Sequence, residues 1–456
     1  MVSVSKLVNG GLYLAGQQVY QNLATPEQAA VDQYNIVRFL GGSAPYVQRQ
    51  GYGISTDIPD GCSYEQVQLL SRHGERYPSK SSGKLYHKIY NKLKAYNQTF
   101  QGSLSFMNDY DYFVTDDNYY EKETTPLNSE GLFAGTTNAM KHGASFRSKY
   151  NSLFNENSTL PVFSSNSGRC FMTSKYFARG FLGDDYTEDS VKYSIIDEDG
   201  SMGANSLTPR SGCNTLKDAQ KSESYDDDYL QDIVDRIQLE NNGIDIDTDD
   251  VENLFGYCAY EMNVKGASPF CDIFTNEELV KFSYQTDVDA YYSNGPGNNM
   301  TLAAASQMVL SSLKLLKDNS SENKVWLSFT HDTDIEIFHA SLGIINPSQD
   351  IPTDHIPFPN PYVHSSIVPQ GSRTYTEKYK CGDDSYVRFI LNDAVIPINS
   401  CSTGPGFSCK LEDFEDYINE RFEGVSYEDQ CQNSNALLTF YWDYNQKNYT
   451  AALLDS

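Results

Sequence analysis

The chain has 456 residues, of which 61 are acidic and 34 are lysine or arginine, so its formal net charge at pH 7 is -27. This length allows two or three average domains, or one large core that carries an insertion. The negative charge argues against nucleic acid as a partner, because a phosphate backbone would be repelled. We also expect no membrane span, since no stretch approaches the roughly eighteen consecutive apolar residues that a span requires.

The first twenty residues do not resemble a signal peptide. Their apolar stretch, Leu7 to Ala15, is interrupted by Asn9, Gly10 and Gly11, Gly16 follows it, and no basic stretch precedes it;. We therefore expect the sequence to be that of an already processed chain.

The first strand that the sequence predicts leads straight into a basic motif. The apolar residues Val67 to Leu70 are followed by Ser-Arg-His-Gly-Glu-Arg-Tyr-Pro, residues 71–78;. The planar guanidinium groups of Arg72 and Arg76 can bind phosphate oxygens with paired hydrogen bonds. Between them, His73 can attack phosphorus as a neutral imidazole. A basic turn on a surface loop is the alternative, so the interpretation depends on residues elsewhere in the chain.

A second predicted strand leads to a further cation. Leu160 to Ser164 is short and apolar, as a buried strand would be, and a turn of small residues then leads to Arg169 at the start of a helix;. Because helix N-termini favour anions, an arginine at this place would strengthen the binding of a negative ligand. The stretch from Asn128 to Tyr150 also predicts a helix.

Helices and an acidic insertion fill the middle of the chain. Ser211 to Glu261 is rich in aspartate and predicts a helical or loop-rich insertion;. After the turn at residues 295–298, apolar side chains from Leu302 to Leu316 recur with helical spacing;. Strands that alternate with helices indicate an α/β fold with an inserted, mainly helical domain. We assign residues 1–85, 140–210 and 300–456 to the α/β domain, and residues 86–139 and 211–299 to the helical domain that covers the pocket.

The predicted strand Val325 to Thr330 ends in His331 and Asp332, which repeats the arrangement at His73. Ligands of open α/β sheets bind beyond the carboxyl ends of the strands, so the two histidines can meet although they lie far apart in the sequence. Metal ligation is the alternative for His331 and Asp332. However, the remaining histidines offer no tight ligand cluster, and the arginines would repel a cation. We expect no metal and no cofactor.

Cysteines and glycosylation sequons indicate the compartment. The nine cysteines are too widely spread for a zinc site and contain no Cys-x-x-Cys motif, so disulfides are the better interpretation;. Asn-x-Ser/Thr sequons occur at Asn97, Asn157, Asn299, Asn319 and Asn448;. Together they favour an oxidising, secretory route, and thus a secreted or cell-wall protein.

The motif residues resemble those of the histidine acid phosphatases. The matching residues are Arg72-His73-Gly74-x-Arg76-x-Pro78 and, much later, His331-Asp332, each after a predicted strand. Further stretches resemble the fungal and yeast branch, and they are Cys62, Gly168-Arg169, Ser268-Pro269-Phe270-Cys271, Gly295-Pro296-Gly297-Asn298 and Phe329-Thr330-His331-Asp332-Thr333-Asp334. The resemblance covers roughly residues 60–410. It is closest to secreted yeast phytases of the 3-phytase type and to repressible acid phosphatases, and it implies a mostly parallel sheet flanked by helices, as in phosphoglycerate mutases.

This resemblance implies a role for each residue of the motifs. His73 would attack phosphorus and form a phosphohistidine, and Asp332 would protonate the leaving alkoxide. The phosphate oxygens would be held by Arg72, Arg76, Arg169 and His331. The reaction suits acid pH, because the flanking arginines disfavour a further positive charge on His73.

The resemblance also implies a pairing of the cysteines, which their spacing alone leaves open. The implied pairs are Cys62 with Cys381, Cys213 with Cys431, Cys258 with Cys271, and Cys401 with Cys409. Cys170 remains unpaired, and we expect it to be a small buried apolar residue rather than a reactive thiol.

Lysines near the motif bear on the choice of substrate. Phytate, myo-inositol hexakisphosphate, carries several phosphates and therefore requires further cations. Lys80 and Lys84 follow the motif in a loop that resembles the lysine-bearing loop of fungal phytases, and Lys265 lies near the place of another substrate lysine in that family. Glu75, which matches the yeast acid phosphatases, is the fourth candidate for substrate contact. A solvated loop is the alternative for Lys80 and Lys84.

These residues predict a phytase, with a broad-specificity acid phosphatase as the alternative. A phosphate-binding cell-wall protein without activity would need the arginines, but it would have no use for His73 and Asp332. An intracellular phosphomutase conflicts with the secretory features. We expect a small phosphomonoester as the ligand, and a homo-oligomer is an open alternative to a monomer.

Overall fold

The computed structural model describes residues 36–217, 225 and 227–454, which contain one mixed sheet with helices on its two faces. The expectation for the first twenty residues lies outside this part. The strands are Cys62–Arg72 (β1), Leu160–Ser165 (β2), Val191–Ile196 (β3), Val325–Thr330 (β4), Arg373–Cys381 (β5), Asp384–Leu391 (β6), Ala394–Val395 (β7) and Cys409–Lys410 (β8).

Long helices connect and cover these strands. They are Lys80–Lys94 (α1), Gly135–Tyr150 (α2), Gly168–Leu182 (α3), Tyr229–Glu240 (α4), Thr248–Lys265 (α5), Asn276–Ser293 (α6), Ser306–Lys317 (α7), Asp332–Leu342 (α8) and Leu411–Arg421 (α9). Short helices add Pro209–Gly212, Thr301–Ala304, His364–Ile367, Tyr427–Cys431 and Phe440–Asp443.

The sheet has a parallel half and an antiparallel half. The strand order is β3-β2-β4-β1-β5-β6-β7, with β8 paired to β6. β3, β2, β4 and β1 run parallel, whereas β5, β6, β7 and β8 join by antiparallel pairing. The parallel pairing of these four strands confirms the predicted mostly parallel centre of the sheet. Both predicted catalytic motifs lie in this half.

Apolar side chains pack against both faces of the central strands. Every residue of β2 and β4 is buried, as expected for strands that are covered on both sides;. Because successive side chains of a strand alternate between faces, Leu69 packs with Phe177 of α3, whereas Leu70 joins the cluster that contains Phe338 of α8;. The sheet is therefore held from both sides, and the ends of its strands stay free to build a site.

A separate hydrophobic cluster is formed mainly by the predicted insertion, and it includes Leu93 of α1 and Leu254 of α5. The segment Ile36 to Val47, predicted to belong to the α/β domain, also packs in this cluster. Conversely, Tyr284 to Tyr292 of α6, predicted in the insertion, packs with the sheet. The domain boundaries remain a prediction, and these two segments are where the packing departs from it.

Two helices have bounds that differ from those predicted from the sequence. The helix expected from Asn128 begins at Gly135, because the preceding residues are docked elsewhere: the amide of Glu130 donates to the carbonyl of Val264 at 2.8 Å. The helix expected from Leu302 is broken at Ala305 into two. The acidic insertion contains α4 and the start of α5 in its described part, as expected for a helical segment.

The structure contains four disulfide bonds, namely Cys62–Cys381, Cys213–Cys431, Cys258–Cys271 and Cys401–Cys409. Cys170 is buried with a free thiol. The five sequon asparagines are all exposed. Among the described residues, every helix is too short or too polar to cross a membrane.

Candidate active site

The carboxyl ends of the four parallel strands lie side by side. Arg72 pairs with Thr330 between β1 and β4, and Ser165 pairs with Ile196 between β2 and β3. The amide of His73 donates to the carbonyl of Thr330 at 3.2 Å, so the register sets the next residue of each strand at the same edge. The rings of His73 and His331 are consequently 5.9 Å apart between centroids, which brings the two halves of the predicted site together.

His73 is buried and held in one tautomer. Its Nδ1 lies 2.9 Å from the carbonyl oxygen of Gly74, which can only accept, so Nδ1 carries the proton and Nε2 keeps its lone pair;. Burial lowers the pKa of His73 well below its usual value, and the nearby Arg72, Arg169 and Arg76 lower it further;. The imidazole is therefore neutral in acid, as a nucleophile has to be.

His331 lies in the opposite electrostatic surroundings. Its Nε2 donates to the Oε1 of Glu198 at 2.7 Å, and the Nη2 of Arg169 lies 3.3 Å from its Nδ1. Burial lowers the pKa of His331, but its neighbours Cys170 and Glu198 outweigh burial and raise it to about 10. In turn, burial acts to raise the pKa of Glu198, yet His331 brings it down to about 2. At acid and neutral pH these pKa values make the pair an imidazolium and a carboxylate, although the guanidinium of Arg169, which can only donate, opposes a proton on Nδ1;.

Arg72 is anchored at the base of the site. It is 2% exposed, and its Nη1 donates to the carbonyls of Gly42 and Val368 at 2.5 Å each. Its Nη2 forms a 2.6 Å ion pair with the Oδ2 of Asp332. The guanidinium is thus fixed by three oxygens that lie on separate segments of the chain.

The insertion positions a second arginine of the motif. The guanidinium of Arg76 lies over the ring of Tyr260, with 5.2 Å from Cζ to the ring centroid, and its Nη1 donates to the carbonyl of Tyr77 at 2.8 Å;. Tyr260 belongs to α5, so this helix contributes directly to the arrangement of cations around His73.

Asp332 is the first residue of α8, and its Oδ1 accepts from the amide of Thr333 at 3.0 Å. Burial would raise the pKa of Asp332, but Arg72, followed by His331 and His364, lowers it well below its usual value. Without a ligand, this carboxyl group is therefore ionised. A phosphate group bound between the same cations would offset their charge and favour the protonated acid.

Glu198 and His364 belong to the site but are not among the residues that the sequence predicts. Glu198 follows the end of β3 by two residues, so the same strand-end rule that selected His73 and His331 would have found it, had β3 been recognised. His364 has no such signal: its Nδ1 lies 2.7 Å from Oε1 of Glu336, and its charge acts on Asp332. Burial lowers the pKa of His364, but Glu336 outweighs burial and raises it.

The predicted substrate lysines lie on the surface. Lys80 and Lys84 are exposed in the first turns of α1, where Lys80 lies 3.9 Å from Glu121, and Lys265 is exposed at the end of α5. Their exposure leaves them accessible to a charged ligand, and their role in binding remains a prediction.

Glu75 is buried beside the motif. Its Oε1 accepts from the amide of Tyr46 and from the Nδ2 of Asn138, both at 3.1 Å. These partners fix the carboxyl group, and the contact between Glu75 and substrate remains a prediction.

In the described part of the chain, no three histidine, cysteine, aspartate or glutamate side chains are grouped so that they could hold a metal ion. The polar groups at the strand ends are instead four cations and a carboxyl group around one imidazole, which is an arrangement suited to a phosphate group.

Comparisons with known proteins agree with this geometry. Residues 64–392 match the histidine phosphatase superfamily (branch 2). A phytase of Candida albicans is 61% identical over 459 residues, which cover 99% of this chain and 100% of that protein. A repressible acid phosphatase of Saccharomyces cerevisiae is 43% identical over 436 residues, which cover 92% of each chain. These matches confirm the family that the motifs predicted.

A solved structure matches the fold along nearly the whole chain. The crystal structure of the phytase from D. castellii superimposes with a TM-score of 0.92 and 59% identity, covering 96% of this chain and 97% of that one. The inositol polyphosphate phosphatase of Bifidobacterium longum matches with a TM-score of 0.60 at 13% identity, which is a likeness of fold alone.

Proposed function

We propose that this chain, which belongs to the histidine phosphatase superfamily (branch 2), is a secreted acid phosphatase that hydrolyses phytate through a phosphohistidine. The observation that carries the proposal is the neutral, single-tautomer imidazole of His73 surrounded by cations. A nucleophile and cations in this arrangement have a use in phosphoryl transfer, whereas a simple phosphate binder would need only the cations.

In the first step, the Nε2 lone pair of His73 attacks phosphorus in line with the ester bond. The bond from phosphorus to Nε2 forms as the bond to the ester oxygen breaks, and the proton of Asp332 passes to the leaving alkoxide. Arg72, Arg76, Arg169 and His331 hold the remaining phosphate oxygens and offset their charge.

In the second step, water hydrolyses the phosphohistidine. The carboxylate of Asp332 takes a proton from the attacking water, whose oxygen forms the new bond to phosphorus while the bond to Nε2 breaks. When phosphate leaves, His73 has its lone pair again and Asp332 releases its proton to solvent, because the cations around it favour the carboxylate;. Binding of the next anionic substrate offsets those cations, so that Asp332 takes up a proton for the next cycle.

The sequence identities to the relatives favour phytate as the substrate. The Candida albicans phytase and the D. castellii phytase each share about three fifths of their residues with this chain, more than the yeast acid phosphatase does. Lys80, Lys84 and Lys265, all exposed, would bind phosphates of phytate other than the one being cleaved. The alternative, a broad-specificity acid phosphatase, is supported by the similarity to the repressible enzyme of Saccharomyces cerevisiae.

Secretion is supported by the covalent chemistry of the chain. Four disulfides persist best in an oxidising compartment, and five exposed sequons offer sites for N-linked glycans;. Glycosidase treatment of the protein secreted by a yeast host would lower its apparent mass if these sites are used, and an unchanged mass would contradict the glycosylation part of the proposal.

The function is tested by steady-state hydrolysis of phytate and of a simple aryl phosphate at a pH of about 4–5. We expect turnover of both, with the higher kcat/KM for phytate, and no effect of a chelator. Absence of turnover would overturn the enzyme assignment, and equal kcat/KM values would overturn the preference for phytate. A triple Lys80→Ala, Lys84→Ala, Lys265→Ala variant should lose kcat/KM for phytate and keep it for the aryl phosphate.

A further inference from the structure

A buried carboxyl group lies directly behind the nucleophile. Glu123 is 5% exposed, and its segment pairs with the motif: the amide of Tyr77 donates to the carbonyl of Lys122, and the amide of Thr124 donates to the carbonyl of Glu75, both at 2.9 Å. The backbone therefore fixes Glu123 against the residues that follow His73, whatever the charge of its side chain.

The side chain of Glu123 joins two elements of the site. Its Oε1 accepts from the amide of Gly74 at 3.2 Å and contacts the Oγ1 of Thr173. The same Oγ1 accepts from the amide of Gly74 at 2.8 Å and donates to the carbonyl of Arg169 at 2.9 Å. This chain of hydrogen bonds runs from the residue after the nucleophile to the first turn of α3, which carries Arg169.

The hydroxyl of Thr173 has a single hydrogen, which lies within reach of two acceptors;. If it goes to Oε1 of Glu123, the carboxyl group accepts; if it goes to the carbonyl of Arg169, the contact between Thr173 and Glu123 is a hydrogen bond only when the carboxyl group donates. The second oxygen favours the protonated state, because Oε2 is buried without a hydrogen-bond partner in the described part of the chain, which costs a neutral acid far less than a carboxylate;.

The charged groups around Glu123 agree with this assignment. Burial has the largest effect and outweighs the hydrogen bonds from Thr173 and from the amide of Gly74 and the positive charge of Arg169, all of which favour the carboxylate, so that the pKa of Glu123 rises to about 8;. Below this pH the group is neutral and leaves the field of Arg169 undiminished. Above it, a carboxylate would face the same cation that is proposed to hold phosphate.

We propose that Glu123, as a neutral carboxylic acid, is a positioning residue that ties the nucleophile segment to the helix of Arg169, and that its ionisation weakens phosphate binding. The positioning part rests on the proposed function. The binding part requires only that the site holds phosphate, so it can be tested without turnover.

Kinetics test the positioning role. Glu123→Gln keeps a neutral donor for Thr173, whereas Glu123→Leu removes it. At pH 5 we expect Glu123→Gln to keep kcat within about threefold, and Glu123→Leu to lose on the order of 10²-fold in kcat with little change in KM, because the nucleophile is displaced. Asp117→Asn, a neutralised exposed carboxylate in the same segment, is the control and should match the unaltered protein.

Equal losses of kcat in Glu123→Gln and Glu123→Leu would overturn the neutral-acid assignment, since a neutral amide would then be unable to replace the carboxyl group. Unchanged kcat in Glu123→Leu would overturn the positioning role. If Glu123→Leu does not fold, as judged by circular dichroism, Thr173→Val replaces it, because this change removes the shared hydroxyl and keeps the shape of the side chain.

Calorimetric titration with inorganic phosphate between pH 6 and pH 9 tests the ionisation. Comparing variants at equal pH cancels the titration of phosphate itself. We expect the ratio of the two Kd values, unaltered protein over Glu123→Gln, to rise by roughly tenfold toward pH 9, with Asp117→Asn following the unaltered protein. A ratio that stays constant over this range would contradict the proposal. A protein that binds phosphate with this profile but hydrolyses nothing would overturn the proposed function and leave the binding inference intact.

Discussion

The ends of β1 and β4 carry the same residue at equivalent places, yet the two imidazoles differ in charge. His73 has three arginines near it and a backbone carbonyl on Nδ1, and its pKa falls well below the usual value. His331 has Cys170 beside its ring and the carboxylate of Glu198 on Nε2, and together they raise its pKa to about 10 although burial opposes the rise. Since both rings are buried, burial alone cannot account for the difference.

Under the proposed function, this difference lets one residue type serve two purposes in a single site. A nucleophile needs a lone pair, and a phosphate-binding group needs a positive charge. Surrounding one histidine with cations and pairing the other with a carboxylate supplies each with the required state over the same pH range. Glu198 is therefore as important to the site as the two histidines, because it helps to set the protonation state of His331.

The comparison predicts that the two histidines fail in different ways. His73→Ala removes the atom that forms the phosphohistidine, and we expect kcat to fall by on the order of 10⁴-fold or more. His331→Ala should mainly raise KM, because it removes a charge that binds phosphate. Rapid alkaline quenching during turnover of labelled substrate should trap phosphoprotein in the unaltered protein, because the phosphorus–nitrogen bond survives in base, and none in His73→Ala; phosphoprotein in that variant would assign the nucleophile elsewhere.

Asp332→Asn separates the proton donor from the two histidines. We expect kcat for phytate, which has a poor alkoxide leaving group, to fall by about 10³-fold, since general acid catalysis typically contributes 10²–10⁴-fold. An aryl phosphate, whose leaving group needs less protonation, should lose much less. The same loss for both substrates would indicate that Asp332 acts mainly through its ion pair with Arg72.

Much of this site could be predicted from strand ends. His73, Arg169 and His331 each follow a short apolar stretch, and parallel strands bring such positions to one edge of a sheet. Glu198 obeys the same rule, but its strand, Val-Lys-Tyr-Ser-Ile-Ile, contains a lysine and a serine and was not recognised. Glu198 is therefore absent from the predicted site because β3 is absent from the predicted strands.

Other contacts have no local signal. Glu123 reaches the site because residues 121–124 pair with residues 75–78, and the sequence gives no indication of that pairing. The partners of Glu75 have no local signal for a similar reason: proximity to His73 in sequence does not reveal that its side chain contacts Tyr46 and Asn138. The side-chain positions of Glu123 and Glu75 depend on contacts between segments that are far apart in sequence, and composition does not predict such contacts.

Glu198→Gln tests the charge of His331 directly. With the Cys170 thiol proton donated to the carbonyl of Thr330, loss of the Glu198 carboxylate would leave burial and Arg169 to lower the pKa of His331, so the ring would lose its charge as pH rises;. We expect kcat/KM for an aryl phosphate to fall roughly tenfold at pH 6.5 and less at pH 4. Glu188→Gln, an exposed carboxylate near the other end of β3, is the matched control. A loss independent of pH would contradict the imidazolium assignment.

Glu198→Gln should also lower the free energy of unfolding, by an amount that depends on pH. Glu198 has its pKa lowered to about 2, so its contribution is present above about pH 4.5 and is lost as pH falls toward 2;. His331 has its pKa raised to about 10, so its contribution is complete below about pH 6.5 and is lost as pH rises toward 10;. Denaturant unfolding should therefore show the largest deficit of Glu198→Gln, roughly 1.5–3 kcal/mol, between these limits. A deficit that is unchanged at pH 2.5 would exclude the ion pair as its cause.

Cys170→Ser distinguishes the two neighbours that raise the pKa of His331. The Sγ of Cys170 lies 3.7 Å from Nδ1 and 3.8 Å from Nε2 of that ring, but it is 3.3 Å from the carbonyl of Thr330, to which a neutral thiol donates. This hydrogen bond uses the thiol proton, so we expect Glu198 to supply the charge that His331 balances;.

We therefore expect Cys170→Ser to change kcat/KM by less than about threefold between pH 4 and pH 7, since the hydroxyl can donate to the same carbonyl. If Cys170 were instead a thiolate, the variant would lose activity with rising pH just as Glu198→Gln does. Parallel pH profiles of the two variants would then move the origin of the His331 charge from the carboxylate to the sulfur. Divergent profiles, with only Glu198→Gln dependent on pH, leave the carboxylate as the group that makes the two histidines different.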